Sequence, residues 1–474
     1  MNKKALINYA YTTAYQILLV ILPIITTPYI SRVLGVENIG KESYASTILS
    51  YFVLFSQIGL NIYGRKEVAY VQQDKRKRSL IFFQLSFIRI CLFAIVCICY
   101  YIFIAYNSGI DKILFLINGI SIWANLIDVT WYFQGLEEFK IITIRNFLIR
   151  IVCVACTFIF VKSKNDLYIY VAVNCVSNFV AQLLLWPSLK RWIIPVKFTV
   201  EGIKKHFINS WAMFIPTVFN TLYTKLDKIM LGVLATETEV GVYTQGEKIT
   251  DMLFKLIGSM GIVFMPVLAN MIASDKNEET IGNTLQDNGR LVWVIGIPLV
   301  AGLAGVAKVF TAVFFGPGYE KTEYILYVLA PVILALGLSD LYGGQYLIAS
   351  GRQKEFNISI AVGAAMNIIM NYLMIPHWQS IGAAIATLVA EIAIVLVQAF
   401  ITRKFIKFNI TPKLYYIYAG ALIFGITKLM DLFMDKNVYV LIMQISIGVI
   451  VYFGVLSLNK DEFLQRVVQI VKRR

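Results

Sequence analysis

The stretch INSWAMFIPTVFNTLYTKLDKIMLGVL, residues 208–234, is long enough to cross a bilayer, yet it carries Lys225, Asp227 and Lys228 near its end. Its reading as a membrane helix with a polar face decides the fold, and the rest of the chain supports that reading. The 474 residues are 58% apolar, with a mean hydropathy of +0.70. They contain many uninterrupted apolar runs of roughly 20 residues, the length that spans a hydrocarbon core. Barrel strands would need only about ten alternating residues each, so run length predicts helices. The fold class expected is therefore an all-α polytopic membrane protein of about fourteen transmembrane helices, the first near residues 9–31 and the last near 438–457.

A net charge of +15 raises the question of nucleic acid. These bases sit in short connections between apolar runs, without platforms of exposed aromatics, and the pattern argues against it. Their distribution sets topology instead, because positively charged loops stay in the cytoplasm. With the amino terminus inside, the inner connections and tails hold about 28 of the 43 bases and the outer ones about 7. Arg65, Lys66 and the run DKRKR at 74–78 contribute most, so both termini are expected in the cytoplasm. The six cysteines all lie in apolar runs and read as packing residues, including the C-x-x-C of Cys153 and Cys156. With only His206 and His377, a zinc site or a histidine relay is not expected, and no cofactor is implied. No cleavable signal is evident after Lys3 and Lys4.

Faint internal symmetry halves the chain. Ile39-Gly40 and Asp74-Lys75 fall over Val240-Gly241 and Asp275-Lys276 at one offset, and GLEEFKIITI (135–144) falls over GRQKEFNISI (351–360) at a similar one. The division expected is a six-helix lobe over 1–189, a cytoplasmic linker over 190–207, and a second six-helix lobe over 208–403. Residues 404–474 then form two additional helices and a basic tail. Inverted or duplicated repeats of this kind place a transporter's substrate near the midplane where the halves meet and act by alternating access.

At 100° per residue, Asn220, Thr221, Thr224, Lys225, Asp227 and Lys228 share an arc of about 160° with Thr217. A charge at the bilayer centre costs about 2.5–3.5 kcal/mol on insertion scales, so an aligned set is expected to face water, substrate or partner charges. The following helix repeats the logic with Glu247, Asp251 and Lys255 at successive turns. Two readings stand side by side: acids and bases that neutralise one another between neighbouring helices, or groups that meet a ligand. Arg89 and Arg150 fall close to the middle of their runs, and arginine forks onto phosphate. Arg89, Arg150, Lys225 and Lys228 are thus the candidates for binding an anionic substrate. Asp128, Asp227, Glu247, Asp251 and Glu391 are candidates for ion coupling or counter-ions. Pro23, Pro28 and Pro216 are candidate gate bends, with static kinks the alternative.

RVLGVENIGKESYAS (32–46), QIGLNIYGRKEVAY (57–70), FQGLEEFKIITIRN (133–146), LDKIMLGVLATETEVGVYTQGEKI (226–249) and FMPVLAN (264–270) together resemble the polysaccharide transporter family, the Wzx-type flippases of the multidrug/oligosaccharidyl-lipid/polysaccharide exporter superfamily. The resemblance covers most of the chain in order. It implies movement of undecaprenyl-diphosphate-linked oligosaccharide repeat units from the cytoplasmic to the outer leaflet of a bacterial cytoplasmic membrane, for capsule, O-antigen or exopolysaccharide synthesis. Arg65 and Glu67, within Gly64 to Glu67, resemble the family's cytoplasmic signature, and Asp227 resembles its aspartate in the seventh span. The implied partners are the lipid-linked oligosaccharide, membrane lipids, H+ or Na+ as a coupling ion, and a polysaccharide polymerase. The alternatives are a peptidoglycan-precursor flippase, which shares carrier and diphosphate, and a drug-cation antiporter, which would be expected to offer acids in residues 9–31, where there are none. A membrane polymerase or glycosyltransferase would be expected to pair carboxylates in a sizeable outer loop, and the expected outer loops are short, so no enzyme is expected.

Overall fold

A computed structural model describes residues 3–197, 200–274 and 276–465, the side chains of 3–17, 20, 200, 201 and 262 excepted. Every regular element among them is helical. In chain order these are α1 (Lys3–Gln57), α2 (Leu60–Tyr70), α3 (Lys75–Tyr106), α4 (Lys112–Asn118), α5 (Ile120–Leu126), α6 (Thr130–Gly135), α7 (Phe139–Phe160), α8 (Leu167–Leu183), α9 (Trp186–Leu189), α10 (Val200–Leu234), α11 (Glu237–Ala273), α12 (Glu278–Phe314), α13 (Glu320–Ser339), α14 (Gln353–Thr402), α15 (Leu414–Phe433) and α16 (Val438–Leu458). A π-helix, Asp340–Ile348, continues α13. The protein is a multi-pass membrane protein: ten helices among the described residues are long and apolar enough to cross a bilayer, or eleven when one bent pair counts as a span. By compactness the chain forms two units, residues 1–225 and 226–474.

In unit 1, α1 has 55 residues, which as one rod would measure about 80 Å, more than twice the hydrocarbon thickness. Gly35 breaks it with φ 77°, a conformation that costs glycine little and other residues much. Pro23 and Pro28 lie within continuous helix, so the break falls at the glycine. Asp74 caps α3, accepting from the backbone N–H groups of Arg76 and Lys77 at 3.0 Å each, which places a negative charge at the positive end of the helix. The hydrogen bond from Lys77, with that from Arg76, holds its carboxyl below the usual range against the opposing effect of desolvation. Beneath this rim Phe82, Trp131 and Tyr132 pack together, Trp131 stacked on Phe82 at 6.0 Å. The span Lys112–Gly135 is assembled from three short helices, α4, α5 and α6.

In unit 2, α12 packs through Val294 and Ile297 on Tyr416, Ala419 and Ile423 of α15, with Tyr452 of α16 closing the cluster. A second cluster gathers Leu268, Leu285, Leu341 and Leu347. Helix α14 is two segments joined at Gln379, whose φ of 51° and ψ of −126° are outside the helical region. Glu239, only 5% exposed, holds this joint: it accepts from the Ser380 hydroxyl and from Lys321, whose ammonium also donates to the Gln379 side chain at 2.8 Å. A buried acid in a membrane protein needs such partners, because an unpaired one is costly.

Candidate functional site

Asp227 lies near the end of α10, 4% exposed. Tyr243 of α11, fully buried, donates its hydroxyl to one carboxylate oxygen at 2.7 Å, and Thr387 of α14 donates to the same oxygen at 2.8 Å. The other oxygen accepts from the Asn371 amide at 2.5 Å, and that amide also reaches Asn367 one helical turn away at 3.0 Å. Asn371 Oδ1 is buried and has no hydrogen-bond partner among the described residues. Four helical segments, α10, α11 and the two parts of α14, thus converge on one carboxylate through neutral side chains. Such donors offset the desolvation of a buried charge without neutralising it. The carboxylate, the orphaned Asn371 oxygen and the hydroxyls of Thr387 and Tyr243 are all oxygen ligands, the type that hard monovalent and divalent cations take. Among the described residues no cluster of three or more His, Cys, Asp or Glu side chains has metal-site geometry, so this is not the carboxylate-rich kind of cage.

The other charges divide between the two units. Lys228 pairs with Glu247 across α10 and α11 at 2.5 Å, both side chains about one-fifth exposed. Asp251, one turn along α11, is exposed, and Glu391 of α14 is buried at 4% exposure. The charge pairing expected between the seventh and eighth spans is therefore made by Lys228 and Glu247, while the hydrogen bonds of Asp227 come from neutral residues.

In unit 1, Arg89 is 5% exposed and occupied internally. It donates to the backbone carbonyl of Asp128, to Asn61 Oδ1 at 2.5 Å and weakly to the Asn125 carbonyl at 3.5 Å, with Trp131 5.8 Å below its guanidinium. These carbonyls end α5 where the helix breaks, so Arg89 supplies donors that the next turn would have provided. Asp128 lies just ahead of α6, accepting from the Thr130 N–H at 2.8 Å and from Asn61 at 3.4 Å. Arg150 is exposed on α7, and Lys225 is half-buried on α10. Arg65 is exposed and Glu67 half-buried on α2, next to Gly64, where an added Cβ would stand 2.6 Å from the Trp131 ring. Pro216 lies inside α10, whose helix continues through it. The structure brings Lys228 and Glu247 together and leaves Arg89 and Arg150 apart in burial and partners.

Sequence reasoning did not single out Tyr243, Thr387, Asn367 and Asn371. The available signal was the pair of asparagines at i and i+4 inside the apolar run GAAMNIIMNYLMI, residues 363–375, since two amides on one face of a membrane helix need partners.

A bundle of this many spans, enclosing a caged carboxylate in one of two helical units, has the architecture of a membrane transporter. Solved structures with the same fold include the lipid II flippase MurJ in an inward closed conformation, with a TM-score of 0.78 at 15% identity over 97% of this chain and 100% of that one. A multidrug resistance MATE family transporter of the MOP superfamily, inward-facing, matches with a TM-score of 0.60 at 13% identity over 81% and 97%. The sequence narrows the class. Residues 5–272 match the model of the polysaccharide biosynthesis protein family, and the chain belongs to that family, the Wzx-type branch of the superfamily. Among its relatives, a protein of Escherichia coli strain K12 provisionally named an O-antigen transporter is 24% identical, covering 84% of this chain and 96% of its own length. The capsular polysaccharide biosynthesis protein CapF of Staphylococcus aureus is 23% identical over 84% and 99%.

Proposed function

We propose that the protein is a flippase that carries undecaprenyl-diphosphate-linked oligosaccharide repeat units from the cytoplasmic to the outer leaflet of a bacterial cytoplasmic membrane, with both termini in the cytoplasm. The observation that carries this reading is membership of the polysaccharide biosynthesis family in a chain built of membrane helices. The relatives named for O-antigen transport and capsule synthesis support the substrate class. Fourteen spans follow if α1 and α14 each cross twice, at Gly35 and Gln379, and α10 crosses once despite its charges. Arg150 and Lys225 are the cations offered to the diphosphate, since several charge-assisted hydrogen bonds can replace its hydration. Arg89 contributes by holding the α5–α6 break. Asp227 with Asn371, Thr387 and Tyr243 takes the coupling ion, H+ or Na+. The protein moves its substrate without a chemical step and hands it to a polymerase.

The test is reconstitution. Purified protein in liposomes relocates the lipid-linked glycan without changing its mass, and D227N retains the fold but transports at least about tenfold slower, whether the ion is a proton or a sodium ion. Relocation that is equal for D227N and the parent removes Asp227 from coupling. A preference for peptidoglycan precursor over glycan-bearing carrier, or a change of substrate mass, overturns the proposed function itself.

A further inference from the structure

At the end of unit 2 where α12 and α15 finish and α13 begins, two adjoining clefts lie outside the transport reading. One, of about 480 Å³, is lined by Lys308, Glu323, Tyr327, Phe424, Lys428 and Asp431. The other, of about 220 Å³, shares Lys308 and Glu323 and adds Thr311, Glu320, Tyr324 and Lys436. Most of the first cleft's charge is committed. The Lys428 ammonium lies 3.2 Å from Asp431 and donates to the Tyr327 hydroxyl, which in turn donates to Glu323, while Gln444 donates to Asp431 at 2.8 Å. Lys308 differs. It is half-buried, lines both clefts, and makes neither an ion pair nor a hydrogen bond among the described residues. Thr311, in the wall of the smaller cleft, is 3% exposed and its hydroxyl has no partner among the described residues. An ammonium without a protein partner, set in a cleft beside two acids, is a place where an anionic group can bind.

The larger cleft meets, at Phe424, a groove of about 570 Å³ along α12, α13 and α15, floored by Ala301, Ala304, Gly420 and Ala421 and walled by Ile297 and Leu334. Small residues carve the groove and branched ones flank it, so a flexible hydrocarbon chain fits where a bulky ring would not. A polar end with both charge signs and an apolar length together describe an amphiphile.

We infer that this is a binding site for a zwitterionic glycerophospholipid. Lys308 takes its phosphate, Glu323 and Glu320 take its ammonium, and one acyl chain lies in the groove. The sign balance favours the zwitterion: Lys308, Lys428 and Lys436 are matched by Glu320, Glu323 and Asp431, so a purely anionic headgroup would leave acids facing its charge. On the proposed orientation the headgroup lies at the outer leaflet; the binding itself does not depend on what is transported.

The experiment is native mass spectrometry of the delipidated full chain with phosphatidylethanolamine or phosphatidylglycerol of identical acyl chains. The parent retains phosphatidylethanolamine about fivefold more strongly. K308Q lowers that retention about fivefold, E323Q removes the preference by admitting phosphatidylglycerol, and A304W, which fills the groove, lowers retention of both lipids. Soluble phosphoethanolamine competes only at far higher concentration. Equal retention of the two lipids by the parent, retention unchanged in K308Q, or displacement of phosphatidylethanolamine by an equimolar polyprenyl phosphate would each overturn the assignment. Circular dichroism of the variants separates loss of binding from loss of fold.

Discussion

Asn371 donates with one amide nitrogen to both Asp227 and Asn367 and leaves its oxygen unpaired among the described residues. A single neutral side chain thus fixes the carboxylate's orientation. Asp227 announced itself in the sequence by its charge. Its cage did not, because Tyr243, Thr387 and Asn371 are unremarkable one at a time and their helices meet only in three dimensions. Arg89 shows the opposite difficulty. Depth within its run was legible, but depth alone does not distinguish a phosphate ligand from a side chain that satisfies the carbonyls of a broken helix. His206 carries a prediction at this scale. Its Nε2–H donates to Gln84 of α3 at 3.1 Å, leaving Nδ1 to accept from the Tyr63 hydroxyl of α2 at 2.8 Å, with Asn209 also reaching Tyr63 at 3.5 Å. Burial, and secondarily Lys205, holds its pKa below the ordinary histidine value. A lowered folded-state value means the unfolded chain gains the proton first. This contribution to stability is therefore complete above about pH 6.5 and falls as the pH drops below it. Hydrogen exchange at residues 203–210 is expected to quicken between pH 7.5 and 5.5, and H206Q should flatten that dependence; an unchanged slope in the variant would place the sensitivity elsewhere.

Helix α10 tempers its own wheel. Thr217, Thr221 and Thr224 donate their hydroxyls to the carbonyls of Met213, Thr217 and Asn220, back along the same helix. The polar face is consequently less demanding than the sequence suggests, since threonine can satisfy itself within a membrane helix and a charge cannot. The demand that remains at Lys228 is met by Glu247 on α11. K228Q and E247Q should each cost about 1–3 kcal/mol, less than a fully buried pair because both side chains stay about one-fifth exposed. The double variant should regain most of that loss, as thermal unfolding in detergent would reveal; additive losses would mean that each residue serves another partner. That the chain is built of membrane-spanning helices was legible at this scale, because run length is a direct consequence of bilayer thickness; of the fourteen spans expected, ten or eleven among the described residues are long and apolar enough to cross. Their joints were less so: Gly35 and Gln379 each join two helical segments with one residue of non-helical backbone, whereas Pro23, Pro28 and Pro216 are absorbed within helix.

For the whole chain, the basic connections predict an orientation with both termini in the cytoplasm. Fusing a fluorescent reporter after residue 465 should give signal from the cytoplasm, while a phosphatase placed in the 234–237 connection should be active outside. The reverse pair of results would invert the topology and with it the leaflet of the inferred lipid site. Family and fold were readable from short stretches distributed over most of the chain; the division into compact units was less so, because it rests on three-dimensional packing that polarity along the chain does not encode. The π-helix at Asp340–Ile348 has a different kind of consequence. A stretch with i→i+5 bonding stores slack: it is where a helix has accommodated surplus chain without losing its axis. The tail of this span therefore holds a built-in tolerance to changes of length, a place where one residue can be taken out and the flanking turns can rejoin in α-helical register while the helices packed on either side keep their positions.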